Sequence, residues 1–191
     1  MKTDIILAGV GGQGILTIAA AIGFASLYEN KFIKQSEVHG MSQRGGEVQS
    51  HLRISDKPIA SDLIPFGNTD LILSVEPMEA LRYLPFLAET GWVVTNSVPF
   101  ENIPDYPSID LIRKEFNTLE NSVWLDAELL AKSCKSPKSS NIVMLGVASA
   151  HIGLSFESLK AGVEQVFNRK GKDVVDDNIR ALEAGRQFSL K

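Results

Sequence analysis

Residues 4–28 constrain the fold more than any other stretch of the chain. Asp4-Ile5-Ile6-Leu7-Ala8-Gly9 is an apolar run of strand length, the pattern of a buried parallel strand. Gly9-Val10-Gly11-Gly12-Gln13-Gly14 follows and fits the spacing G-x-G-x-x-G. From Gln13 to Tyr28 there is no charge, only an Ala-, Ile- and Leu-rich stretch ending at Glu29. That stretch predicts a helix buried on several sides. Strand, glycine turn and helix in this order open an α/β unit whose helix N-terminus offers free N–H groups to an anion.

The remaining pattern alternates short apolar runs with helix-length periodic stretches, which predicts a sheet with helices on its faces. Strands are expected over 31–38, 47–55, 70–75, 92–98 and 122–125. Helices are expected over 77–88, kinked by Pro85, and over 108–117, 141–153, 155–168 and 173–188. In residues 47–55, Val48, Ser50, Leu52 and Ile54 face one way and Gln49, His51 and Arg53 the other. Asp56-Lys57-Pro58 reads as a turn, and 59–64 as a short extended return. The expected fold class is α/β, a Rossmann-like three-layer domain with a mostly parallel sheet, a β-hairpin insertion and C-terminal helices. No boundary divides residues 1–191, which read as a single domain, with the final helices as a docking pair.

Composition narrows the function. Net charge is −4, from 19 Lys+Arg against 23 Asp+Glu, without the basic footprint of a duplex nucleic-acid binder. No apolar stretch approaches the roughly 18 residues of a membrane span. Asp4 and the glycines at 9, 11, 12 and 14 interrupt any signal-peptide core, so the expected compartment is the cytoplasm. The one cysteine, Cys134, cannot make an internal disulfide or hold an iron–sulfur cluster. Lys132 and Lys135 flank it, but an incidental thiol is the simpler reading. The three histidines lack metal-ligand spacing, and no G-x-S-x-G elbow is present.

Two segments carry candidate chemistry. The glycine turn allows a dinucleotide site, with Glu37 as the acidic partner about twenty residues on. Equally, the glycines serve helix–sheet packing. Gln13 adds an amide that can donate or accept. The second segment, 36–47, packs Glu37, His39, Ser42, Gln43, Arg44, Gly45 and Gly46 into twelve residues. Arg44 beside two glycines presents a fork and bare amides to a phosphate or carboxylate. The plainer reading is a solvated hairpin loop, with Arg44 paired to Glu37 or Glu47. His51 and Arg53 are expected to face solvent or a partner, and His151 to be a satisfied core histidine. Lys31, Lys34, Arg44, Arg53 and Lys57 concentrate positive charge into a patch that would attract anions.

Taken together, Gly11-Gly12-Gln13-Gly14 with Thr17, Glu37 with Gly45-Gly46, and Arg53-Ile54-Ser55-Asp56 with Pro58-Ile59 and Ser61 resemble the gamma-type domain of 2-oxoacid:ferredoxin oxidoreductases. The resemblance continues through Asp70–Leu73, Glu76-Pro77 and Ala80-Leu81, and returns at Asn178–Gly185. Pyruvate-type members carry a shorter Val-Arg-Gly-Gly-like loop. The longer His39–Gly46 loop resembles that of indolepyruvate-type small (beta) subunits.

The resemblance implies a hetero-oligomer, inactive as this chain alone. Its large subunit binds thiamine diphosphate, Mg and 4Fe-4S clusters. The complex converts an arylpyruvate and coenzyme A to an acyl-CoA and CO2, with ferredoxin as acceptor. This chain binds none of those cofactors alone; coenzyme A is its cosubstrate. Glu37, His39 and Arg44 are then the catalytic candidates. Gly11, Gly12, Gln13, Gly14, Ser42, Gln43, Arg44, Gly45 and Gly46 are the binding candidates, and no metal ligand is expected. A stand-alone NAD(P)- or flavin-binding Rossmann enzyme is the alternative.

Overall fold

A computed structural model describes residues 1–40, 45–101 and 103–190. Six strands form one sheet: β1 (Lys2–Val10), β2 (Phe32–His39), β3 (Glu47–Ser55), β4 (Thr69–Ser74), β5 (Leu87–Asn96) and β6 (Ser122–Leu125). Their order is β2-β3-β1-β4-β5-β6. β1, β4, β5 and β6 are parallel, and β3 runs against both β1 and β2. The inserted hairpin is therefore β2–β3 on the edge of the parallel sheet, rather than the expected pair of 47–55 with 59–64.

The alternation of β1 explains the two covered faces. Ile5 and Leu7 point into one core with Leu52, Ile54, Leu71 and Leu73. Ile6 and Ala8 point into the other with Ile72 and Val93. Each such large aliphatic side chain contributes about 1.5–3 kcal/mol by burial. The first core is roofed by α1 (Ile15–Tyr28), α4 (Ala127–Ser133), α5 (Ser140–Ala148), α6 (Phe156–Phe167) and α7 (Lys172–Ser189). The second is roofed by α2 (Pro77–Arg82) and α3 (Ile109–Phe116). Three layers result, and the fold class matches the expectation.

The C-terminal helices dock through glycines. A Cβ on Gly185 of α7 would lie 2.1 Å from the Val143 carbonyl of α5, and one on Gly146 2.1 Å from the Leu182 carbonyl. Gly162 of α6 similarly meets the Ala21 carbonyl of α1 at 2.2 Å. Ser155 caps α6, its hydroxyl accepting from the Ser158 N–H at 3.1 Å.

Several local expectations give way. Residues 59–64 form no strand; they lie across the second face of β3 as a cover. The covering chain binds Arg53, which donates from Nη1 to the carbonyls of Ser61 and Leu63 at 3.0 and 2.9 Å. His51 is buried and its Nδ1 accepts the Ile64 N–H at 3.0 Å. Neither side chain faces solvent. Burial, then the nearby Arg53 charge, lowers the His51 pKa. Arg53 clamps the fully buried Asp4 at 2.8 and 3.0 Å. Of the expected cationic patch, Arg53 is thus consumed internally. Lys31 binds Asp56, and Lys34 donates to the Ala60 carbonyl at 3.0 Å. Lys31, helped by the N-terminal amine, holds the Asp56 carboxyl down to about 2.

Helix α2 ends at Arg82 rather than running to Ala88, because Pro85 opens a separate 3-10 turn over Leu84–Phe86. β5 starts at Leu87, five residues ahead of the expected strand. Helix α5 stops at Ala148 and passes into a 3-10 turn, Ser149–His151. His151 stacks on Trp92 with ring centroids 4.1 Å apart, and burial lowers its pKa.

Candidate functional site

The glycine turn lies at the carboxyl end of β1, where neighbouring connections diverge, the usual place for a site in an open α/β sheet. Gly14 is the N-cap of α1 with φ 83°, and Gly12 has φ 101°, backbone that L side chains rarely adopt. Gly14 also faces Asn141, which donates to its carbonyl at 3.2 Å; a Cβ there would lie 2.5 Å from Asn141 Nδ2. Gln13 turns inward rather than out to a ligand, its Oε1 accepting the Val10 N–H at 2.8 Å.

The β2–β3 loop returns onto this turn. Gly11 donates to the Gly46 carbonyl at 2.8 Å, and Gly40 donates to the Glu47 carbonyl at 2.8 Å. A cleft of about 290 Å³ opens between them, lined by Gly11, Gly12, Gly14, Leu16, His39 and Val48 among others. The first turn of α1 borders it and holds no acidic residue, so its positive dipole end is left for an anion.

Strand register decides which loop residues reach the cleft. His39 pairs with Val48, which pairs with Gly9, level with the turn. Glu37 pairs with Ser50, and Ser50 with Leu7, lower in the sheet. With β3 between them, β2 stands two strand spacings, about 10 Å, from β1. A ribose-binding acid belongs on the strand adjacent to β1, so Glu37 cannot play that part. It contacts His39 instead and accepts from Gln35 at 3.2 Å. Ser42, Gln43 and Arg44 lie outside the described residues. Glu47 pairs with Arg82 at 3.3 Å.

A buried acid that composition did not flag as functional organises the neighbouring wall. Glu76 is completely buried at the end of β4. One oxygen caps α2, accepting the Glu79 N–H at 2.8 Å; the other takes the Phe100 N–H at 3.2 Å and the Tyr106 hydroxyl. Burial and that carboxylate both raise the Tyr106 pKa. Glu76 thus fixes Phe100 and Tyr106 of the proline-bearing segment, and Phe100 approaches Gly45. The Glu76-Pro77 pair was the signal: an acid just before an N1 proline is a helix-cap pattern.

Further along the carboxyl edge, Asn96 Oδ1 accepts the Ala127 N–H at 3.0 Å and its Nδ2 donates to Glu128 at 3.2 Å. Cys134 is half-buried as the C-cap of α4, its thiol donating to the Ala131 carbonyl at 3.3 Å. Among the described residues no three His, Cys, Asp or Glu side chains converge to hold a metal ion. Among them, too, no helix is long and apolar enough to cross a membrane.

The family model described as pyruvate ferredoxin/flavodoxin oxidoreductase matches residues 4–188. Indolepyruvate oxidoreductase subunit IorB of Pyrococcus horikoshii is 36% identical over 192 residues, covering 95% of this chain and 93% of that one. Pyruvate oxidoreductase subunit PORC of Thermotoga maritima shares the fold with a TM-score of 0.75 at 21% identity, covering 97% of this chain and 96% of that one. A 2-oxoglutarate:ferredoxin oxidoreductase from Magnetococcus marinus, solved with 2-oxoglutarate, coenzyme A and succinyl-CoA bound, matches with a TM-score of 0.77 at 20% identity. The match covers 99% of this chain but 31% of that one, so the fold there is one part of a chain about three times as long. These relatives give no support to a stand-alone NAD(P) or flavin enzyme. The chain belongs to the pyruvate ferredoxin/flavodoxin oxidoreductase family, as a small subunit of a 2-oxoacid:ferredoxin oxidoreductase.

Proposed function

We propose that the chain is the small subunit of an indolepyruvate-type enzyme, taking an arylpyruvate and coenzyme A to an aryl-acetyl-CoA and CO2 while ferredoxin accepts the electrons. The observation that carries the reading is the cleft. Its backbone amides and helix N-terminus suit an anion, yet beside them only His39 supplies a titratable side chain among the described lining residues. It is half of a site.

Thiamine diphosphate, Mg and 4Fe-4S clusters do not fit this chain's own residues. It has one cysteine, which caps α4 with its thiol on the Ala131 carbonyl, and no convergent ligand set among the described residues. They belong to a larger partner subunit, through which ferredoxin is reduced. In this reading residues 1–191 are one gamma-type domain working in the cytoplasm. The glycine turn and the 39–46 loop together meet a phosphate of coenzyme A or the carboxylate of the 2-oxoacid. Arg44, with Ser42 and Gln43, supplies the charged and polar side chains of that loop. Glu37 acts behind it, through its contact with His39.

Arg44→Ala in the assembled enzyme is the test. A charge-assisted hydrogen bond contributes about 1.5–3 kcal/mol, so KM for coenzyme A or for the arylpyruvate should rise at least about tenfold. Unchanged kinetics for both substrates would remove the loop from the binding site.

A further inference from the structure

We infer that the outer face of α1, with the open sheet edge beside it, is the seat of the large subunit; this rests on the two-subunit reading above. Helix α1 is apolar all round, with no charge from Ile15 to Tyr28. Its inner side is buried through Ile15, Ile18, Ile22 and Ala25. Its outer side is not. Leu16 is 49% exposed, Leu27 61% and Tyr28 56%, with Ala20 and Phe24 exposed between them. At about 100° per residue these five fall within an arc of roughly 120°, a stripe interrupted by the half-buried Thr17 alone. Helices apolar on every side are covered on every side in working proteins.

The stripe is flanked by Gly23, which faces Ile33 of β2, and by Ala21, which packs on Gly162 of α6. β2 is the outermost strand, hydrogen-bonded to β3 alone across eight residues. Long open edges are normally blunted or covered. Two surfaces that proteins usually cover therefore meet at one corner. The same corner holds the cleft, because Leu16 belongs to both stripe and cleft and His39 ends β2. A body seated on the stripe borders the cleft and supplies its missing wall. Exposed apolar side chains elsewhere, such as Leu129 on α4 and Leu111 on α3, stand on short helices with charged neighbours.

The occupant is the large subunit rather than a second copy. In the Magnetococcus marinus enzyme this fold is 31% of one longer chain, so surrounding parts are supplied covalently there. A separate small chain must present a non-covalent surface to do the same. A two-fold pairing of stripes would set two identical half-sites against each other and bring neither the groups it lacks.

The test uses the full chain carrying Phe24→Glu with Leu27→Glu, and the purified large subunit. Binding of the two is read by interferometry, and the oligomeric state of the chain by light scattering. The double variant should bind at least about 30-fold more weakly, the scale of losing an interface hot spot. Leu27 is 61% exposed and Phe24 36%, so the isolated chain should stay folded with its melting temperature lowered by no more than about 6 °C. Leu129→Glu, at a side chain 64% exposed on α4, should leave binding unchanged. Affinity within twofold of wild type in the double variant overturns the assignment. So does a wild-type homodimer that the double variant splits while large-subunit affinity holds, since the occupant is then a second copy. If the wild-type chain binds no large subunit at all, the two-subunit reading itself falls, and this inference with it.

Discussion

Arg53→Ala lowers the stability of the chain by about 3–5 kcal/mol, the cost of stripping the partner from a buried charge. Asp4 is completely buried and its carboxylate is gripped by Arg53 Nε and Nη2 at 2.8 and 3.0 Å. Lys2 Nζ, 2.7 Å away, is the remaining cation, and its side chain is half exposed. The same guanidinium holds the carbonyls of Ser61 and Leu63. Losing it therefore frees the covering segment as well as the charge. Thermal melting should fall by about 6–20 °C, at roughly 2–4 °C per kcal/mol for a chain of this size. Asp4→Asn added to Arg53→Ala should recover part of the loss, because an amide costs less to bury than an unpaired carboxylate. A melting temperature within about 2 °C of wild type for Arg53→Ala would show that the Asp4 charge is compensated elsewhere.

Gly185→Ala is the second large effect. One methyl group would stand 2.1 Å from the Val143 carbonyl and 2.9 Å from the Val147 nitrogen. Both are backbone atoms of α5, so no side chain can swing aside. Overpacking commonly costs about 1–3 kcal/mol; backbone against backbone puts this case at the upper end or beyond, about 3 kcal/mol or more. The helices must separate, exposing the core around Leu145 and Leu182. Thermal melting of the purified chain should drop by at least about 6 °C. Gly171→Ala serves as the comparison, since nothing lies within 4 Å of a Cβ there and only its φ of 96° resists substitution. An equal loss from both would mean that glycine conformational freedom, not helix contact, sets the cost.

The first strand, the glycine turn and the following helix were legible because each is specified locally. An apolar run buries itself, glycines mark the left-handed turn, and an uncharged periodic stretch packs. The sheet order was not legible. β2 and β3 carry alternation that any edge hairpin would show, and nothing local says that β3 inserts between β1 and β2. That insertion sets Glu37 two strands away from β1, outside a ribose-binding position. The alternation of polar with apolar residues in their strand points His51 and Arg53 toward solvent or a partner. The covering segment 56–68 is distant in pairing terms and reads as a loop. Yet Asp4 in an otherwise apolar strand was a clue that a buried cation had to meet it.

Helix α4 was missed for a simpler reason. It has seven residues and buries Ala127 and Ala131 alone, too few turns to show a period. Its Asp126 cap, accepting the Leu129 N–H at 2.7 Å, was readable as an N-cap pattern. The charge-free character of α1 predicts burial on several sides. One side is open in this chain, and that difference points to a partner.

Anaerobic ferredoxin reduction by the purified chain, the large subunit and their mixture, with indolepyruvate and coenzyme A, tests the central claim most directly. Neither chain alone should turn over, and the mixture should gain activity to saturation as this chain is titrated in. A large subunit fully active by itself, with no response to added small chain, would contradict the half-site reading of the glycine cleft.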